Sequence, residues 1–366
     1  MSPAIRLIGA VAAALLLTMP VVSGAQPTDS PLTIHGYLSQ GFGVTDGLPL
    51  YGLTRNATTD YRAIALVVRY ALDPRHNFVV QFRNRRFGNS VLTRAEGEVA
   101  VNWAYYHGLF GPLAIKIGKV PIPFGIFNET RAVGTLLPFY RAPSFIYSDG
   151  QETETGALLT YRSPELSGWS AEVNAHYGDE DFPQLVVTPA GPLLNRPIQH
   201  HRVGGYVWLN TPISGVRVGG GGVTLNVIDT TNMFSYRVND LRYAADATGD
   251  HVFVHSEAKY YRLGMYGKTR AYYIESGARV IGDLSVNGLY QQTNSFGTRS
   301  APPPGTTPIW SKSSDRAVSL KYAFNPSLVS KLELHHNLGY NYDTFISTAG
   351  PPGKANYVLA SLAMSF

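Results

Sequence analysis

Apolar and polar residues alternate with a period of two along much of this 366-residue chain. Trp169, Ala171, Val173, Ala175 and Tyr177 share one face of a ribbon whose other face carries Ser170, Glu172, Asn174 and His176. Leu328, Leu332, Leu334, Leu338 and Tyr340 oppose Lys331, Glu333, His335, Asn337 and Asn341. Val318, Leu320, Tyr322 and Phe324 oppose Ser319 and Lys321, and Val99, Val101, Trp103 and Tyr105 oppose Glu98, Asn102 and Tyr106. The last ten residues set Val358, Ala360, Leu362, Met364 and Phe366 at every second position. This period predicts extended strands with one apolar face. The opposite faces carry too much charge for a sandwich core and suit water instead.

Breakers separate the strands. Asp73-Pro74-Arg75-His76, Gly111-Pro112, Thr211-Pro212-Ile213-Ser214-Gly215, Gly282-Asp283 and Asn325-Pro326-Ser327 read as short turns, whereas 178–200 and 295–315 read as long polar loops. Strands are expected near 32–45, 60–72, 77–87, 96–107, 113–120, 154–162, 169–178, 201–210, 216–226, 233–244, 251–262, 268–281, 284–294, 316–324, 328–342 and 355–366. That gives about 16 strands, with 14 or 18 also compatible with an even-numbered barrel (roughly 8 to 26 strands). The assignment is least distinct over 227–281. Beyond the N-terminus no apolar run approaches the roughly 20 residues of a membrane helix. A chain of this pattern crosses a bilayer only as a closed barrel, which leaves no strand edge unpaired in lipid. The expected fold is therefore all-β, a transmembrane antiparallel β-barrel. At this size it encloses an aqueous channel rather than a packed interior.

Composition adds detail. Tyr (23) and Gly (37) are abundant while Cys is absent. The first suits strands between lipid and water with Tyr at the interfaces. The second removes disulfides, a lipoprotein anchor, thiolate metal sites and Cys nucleophiles. In Met1–Ala25, Arg6 precedes an apolar run from Leu7 to Val22 and then Ser23-Gly24-Ala25. This predicts a secretory signal peptide cut before Gln26, with an N-terminal membrane anchor as the alternative. Residues 26–366 then form one barrel domain.

Lys116 to Gly125 ends a strand at Pro121 and Pro123 and opens an aromatic-rich stretch to about Ser148. Leu136, Leu137, Phe139 and Phe145 would not be needed in a solvated outer loop; they suggest a loop packed on the inner wall. Gly118–Gly125 resembles the G-x-x-x-x-P-F-G segment before the inward-folded third loop of phosphate-selective and related substrate-selective Gram-negative porins. The closing strand ending in Phe366 resembles the C-terminus of bacterial outer-membrane barrels. The resemblance implies an outer-membrane location, a homotrimer, a third loop that narrows each channel, and reading of Phe366 by the barrel-assembly machinery.

Charge placement gives candidate site residues. Arg83 and Arg85 share the face of Val79 and Gln81, opposite Phe78, Val80 and Phe82; Lys116 alternates with Ile115 and Ile117. Arg on a lipid face at mid-depth costs ~2–4 kcal/mol, so these cations are expected inside. The loop supplies Glu129, Arg131 and Arg141, followed by Asp149, Glu152 and Glu154 where the chain re-enters the wall. A basic wall facing a loop of mixed sign sets a transverse field across the narrowest point, and rings of Arg and Lys favour anions. The formal charge of +5 tilts the same way. The alternative places Arg85, Arg86 and Arg94 at the outer rim, in solvent or on lipopolysaccharide phosphates.

The expected function is passive diffusion of small hydrophilic, preferentially anionic solutes, with outer-membrane lipid and lipopolysaccharide as surroundings and no cofactor or metal. The other readings are a barrel enzyme of protease or lipase type, and a lipopolysaccharide-binding or adhesin barrel. The latter is favoured if 121–153 lies outside the lumen. Gly267-Lys268-Thr269 ends like a phosphate loop, but Arg262 stands where that motif needs Gly, so the stretch reads as a strand connection. Ser256 and Lys259 match S-x-x-K yet point to opposite faces of a strand. His200-His201 and His335-His336 diverge likewise, and the Gly219–Gly222 run suggests a bulge or a close backbone. Basic residues are too dispersed for nucleic acid.

Overall fold

A computed structural model of the chain describes residues 30–91, 99–147, 152–181, 184–188, 190–229, 234–264, 267–297, 309–348 and 350–366; the expected signal peptide lies outside them. Its strands are β1 (Leu32–Thr45), β2 (Thr58–Ala71), β3 (His76–Phe87), β4 (Ala100–Phe110), β5 (Leu113–Pro121), β6 (Thr153–Arg162), β7 (Ser170–Asp181), β8 (Gln184–Thr188) and β9 (Gly191–Asn195). They continue as β10 (Ile198–Asn210), β11 (Val216–Asp229), β12 (Phe234–Thr248), β13 (Val252–Leu263), β14 (Gly267–Ile281), β15 (Leu284–Gly297), β16 (Ile309–Asn325), β17 (Leu328–Gly339) and β18 (Gly353–Ser365). All but β8 and β9 form one closed antiparallel barrel of sixteen strands, sealed where β1 pairs with β18. No helix long and apolar enough to cross a membrane occurs among the described residues.

The expected fold class and strand count hold, with local differences. β8 and β9 form a hairpin of their own within the stretch expected as a plain loop, 178–200. β17 ends at Gly339 rather than at 342. Turns such as 111–112, 282–283 and 326–327 gather at one rim, where both barrel termini also lie; connections such as 46–57, 122–152 and 340–352 gather at the other.

Side-chain sidedness follows the alternation. On β16, Val318, Leu320, Tyr322 and Phe324 are exposed on the outer surface while Ser319 is fully buried. On β17, Leu332 and Leu334 are exposed, and Lys331, Glu333 and Asn337 are buried. The same holds on β7, where Val173 and Tyr177 are exposed and Asn174 and His176 buried.

β4 departs from its expected pattern. Gln81 of β3 stands opposite Trp103, but the next residue, Phe82, stands opposite Val101, so Asn102 is an extra residue. This β-bulge reverses the alternation beyond it, because one inserted residue moves every later side chain to the other face. Val99 and Val101 point outward at 69% and 41% exposure. Trp103 and Tyr105 turn inward opposite Gln81 and Val79. Asn102 Nδ2 donates to Gln81 Oε1 at 2.8 Å, which pairs the extra residue's buried amide with β3.

The Gly219–Gly222 run is not bulged: its ladder with β12 is unbroken from Val216 to Asp229. The glycines make room for neighbouring rings, since a Cβ on Gly219 would lie 2.7 Å from Trp208 and 2.8 Å from Tyr206. Gly36 does the same for the final residue, with a Cβ there meeting the Phe366 ring at 2.1 Å. Backbone bonds tie Gly36 to Phe366 in both directions, at 2.9 and 3.0 Å. Gly36→Val is expected to drive this ring from its seat and reduce the fraction of heat-modifiable, folded barrel on unheated gels; wild-type yield would show that the ring's position is immaterial to closure.

Candidate constriction inside the barrel

The connection between β5 and β6, over its described residues 122–147 and 152, turns into the barrel. Pro121 and Pro123 end the ladder. Gly125 adopts a left-handed conformation, φ 67°, where a Cβ would also collide with Glu257 and the Tyr147 hydroxyl. Asn128 clips the two ends of the loop together, its Nδ2 donating to Ile122 O at 2.7 Å and Glu152 O at 3.0 Å.

The loop's apolar side chains explain its course. Phe124, Phe127, Leu137, Phe139, Ile146 and Tyr147 form one buried cluster with inner-wall residues including Tyr206, Trp208, Tyr273 and Leu289. Polar anchors run beside it. Lys331 Nζ donates to Gly134 O at 2.7 Å and Phe139 O at 2.8 Å, and Lys321 Nζ to Thr135 O at 2.7 Å. Ser319 Oγ donates to Pro138 O at 2.8 Å, Tyr140 N to Glu333 Oε1 at 2.5 Å, and Phe145 N to Gln291 Oε1 at 3.1 Å. Glu257 accepts from Ile126 N, Tyr273 and Tyr147. Burial pushes the Tyr147 phenol well up, and the neighbouring Glu257 charge adds to this, so it remains a donor. The loop's hydrogen-bonded anchors thus lie on β13 to β17, and the polar inner faces there are covered rather than wet.

Arg83, Arg85, Arg131 and Glu152 meet at one point. The Glu152 carboxylate is paired with all three guanidinium groups, with Arg85 Nη1 2.8 Å from Oε1. Burial raises the Glu152 carboxyl's proton affinity, but Arg131, Arg83 and Arg85 outweigh it and hold the group well below the usual carboxylate range. Arg141 lines the same opening as this cluster, its guanidinium 4.4 Å from the Phe87 ring and 5.0 Å from that of Tyr51. Lys116 and Glu129 form a separate pair at 3.2 Å, with Glu129 half exposed. Asp149 lies outside the described residues. Arg86 faces outward opposite Arg62 and pairs with Asp60 at 2.5 Å; Arg94 is outside the described residues.

A second charged group gathers around Glu154, the one member of it that the sequence singled out. Glu154 pairs with His176 at 2.8 Å and with Arg202 at 3.6 Å, and Arg202 pairs with Glu180 at 2.8 Å. Nearby, Asp240 holds Arg242 at 2.8 Å and Lys259 at 3.5 Å. The signal in one dimension was their inward parity; that five strands bring them together is a property of register. His335 is inward and its neighbour His336 outward. Lys259 points inward, whereas Ser256 bonds to Tyr273 O at 3.0 Å. Gly267, Lys268 and Thr269, expected as a strand connection, are instead the first residues of β14, paired with Leu263, Arg262 and Tyr261 of β13. No group of three or more His, Asp or Glu able to hold a metal occurs among the described residues.

No protein-family model and no curated protein matches the sequence. Solved structures match the fold. The outer membrane channel DcaP of Acinetobacter baumannii superposes with a TM-score of 0.59 at 11% identity, covering 94% of this chain and 100% of that one. An anion-selective porin from Comamonas acidovorans gives 0.59 at 12%, covering 92% and 99%. OmpT of Vibrio cholerae, an outer membrane protein in trimer form, gives 0.56 at 12%, covering 92% and 99%. The chain has the fold of these porin-type barrels.

Proposed function

We propose that the protein is a passive channel of the bacterial outer membrane with a preference for small anions. The observation that carries this reading is the cluster at one opening inside the barrel: the guanidinium groups of Arg83, Arg85, Arg131 and Arg141 against the single carboxylate of Glu152. Fixed positive charge in a constricted aqueous path lowers the barrier for anions and raises it for cations. The loop opened by Gly118–Gly125 narrows the path, and solutes cross down their gradient without chemical turnover. A homotrimer is part of the proposal, supported by the trimer form of the similar V. cholerae barrel. The adhesin reading needed residues 121–153 outside the lumen; the described part of that segment packs on the inner wall.

Planar-bilayer reversal potential in a salt gradient tests the proposal. Wild type is expected to favour anions, and Arg83→Glu/Arg85→Glu to lose or invert that preference. Cation preference in the wild type, or an unchanged potential in the double variant, would refute it. Folded protein with no conductance would instead favour an outer-membrane enzyme.

A further inference from the structure

The bulge at Asn102 brings two aromatic rings into the lumen. Val99 and Val101 stay on the outer surface, while Trp103 and Tyr105 come round to stand opposite Gln81 and Val79. Both rings are half-buried. By contrast, Tyr206, Trp208 and Tyr273 lie in the buried cluster under the inward loop, of which Trp103 and Tyr105 are not members. Holding the loop therefore does not account for them. Bulges recur beside functional sites because they re-aim side chains there.

The wall beside these rings is apolar as well. Arg83 stands opposite Ala65, Gln81 opposite Val67 and Val79 opposite Arg69, so Ala65, Val67 and Val79 share the inward face with Trp103 and Tyr105. Cations stand at both ends of this strip. Toward the long connections are Arg83 and Arg85, which Glu152 engages. Toward the short turns are Lys116 and Arg69. Lys116 Nζ lies 5.4 Å from the centre of the Tyr105 ring and is paired with Glu129. Arg69 is exposed and stands in one cross-strand row with Val79 and Tyr105. Two strand spacings of about 4.8 Å separate its backbone from that of Tyr105, roughly 10 Å in all. A flat ring bearing one carboxylate fits that interval, with its face on Val67, Val79 and Trp103 and its charge toward Arg69.

We infer that this strip is a binding station for aromatic carboxylates, on the short-turn side of the constriction. Covering a ring with apolar side chains removes both surfaces from water, and offset or edge contact with Trp103 and Tyr105 adds to that gain. The carboxylate meets the Arg69 guanidinium as a charge-assisted partner. Acetate offers the charge without the ring. The strip thus sorts among anions that the Arg83 and Arg85 cluster admits alike. The inference rests on the channel reading, because it names which anions the open path retains.

The test compares sodium benzoate with sodium acetate on the full folded protein. Saturation-transfer NMR titration in detergent reads binding without conductance. Benzoate ring protons are expected to receive saturation from the wild type, and Trp103→Ala to weaken benzoate at least about fivefold, the scale of one aromatic contact. Trp103→Leu keeps bulk without a flat ring, which guards against misfolding of the smaller variant, and should weaken benzoate in the same direction. Arg69→Gln should weaken benzoate and acetate alike. Tyr106→Phe, opposite Phe78 on the outward face, is the control and should match the wild type. In planar bilayers benzoate should reduce the chloride current at lower concentration than acetate does, and Trp103→Ala should erase that difference. Equal benzoate affinity in the wild type and both Trp103 variants, or equal block of the wild-type current by the two anions, would overturn the inference. Folded protein with no conductance, or with cation preference, would sink the channel proposal instead, while the NMR titration still decides whether the strip binds benzoate.

Discussion

Glu152→Gln is expected to destabilise the barrel by about 3–5 kcal/mol, the usual cost of removing one partner from a buried charge cluster. The substitution keeps the side chain's size and removes its charge, leaving Arg83, Arg85 and Arg131 facing one another with no anion at their centre. Urea unfolding in detergent, followed by tryptophan fluorescence, measures the loss. An unchanged midpoint would mean that water already screens these cations. The same carboxyl sets a pH dependence. Its affinity for protons is depressed in the folded chain, so the unfolded chain binds more protons as pH falls. The stability it contributes is therefore complete above the ordinary glutamate value of about 4.3 and disappears as pH drops through the lower, folded value. Stability and selectivity should stay flat from neutral pH to about 5, near the top of that window, then change together under stronger acid. Glu152→Gln should lack the acid transition. Its anion preference at neutral pH should already exceed that of the wild type.

Lys331→Met should release the loop from the wall. Met fills much of the same space but offers no donor, so Gly134 O and Phe139 O lose their buried partner. Each orphaned carbonyl costs about 1–3 kcal/mol where water cannot replace the bond. The loop relieves that cost by lifting its 134–139 segment toward water. Single-channel conductance should rise, with more open-channel noise, and the segment should become sensitive to added protease. Leu332→Met, one residue along on the outer face, is the control and should change neither. Wild-type conductance and protease resistance in Lys331→Met would show that the apolar cluster alone holds the loop.

The outer face of this molecule was legible because lipid imposes one rule on every strand. Val318 to Phe324 and Leu332 to Leu338 show it by their spacing alone. The turns at 111–112, 282–283 and 326–327 were legible for a similar reason, since Pro, Gly and Asp mark where pairing stops. The inner face obeys no such rule. Ser319, Lys331 and Glu333 look like lumen residues bathed in water, yet the loop covers them. Nothing in one dimension says which strands a 31-residue connection will reach. The reversal on β4 has the same origin: Asn102 interrupts a regular pattern through its register with β3, which only pairing reveals. For the site, the charged residues were visible, but the convergence of Arg83, Arg85 and Arg131 on Glu152 joins a wall strand to both arms of the loop.

The loop that leaves β5 has its hydrogen-bonded anchors on β13 to β17, far later in the chain. While the polypeptide emerges in order, Gly134 and Phe139 are made long before the lysine that receives them. The narrow point cannot exist in any partial barrel that lacks the C-terminal quarter. Completion of the circumference and installation of the filter are consequently a single late event. An incomplete cylinder would be unsorted as well as unclosed.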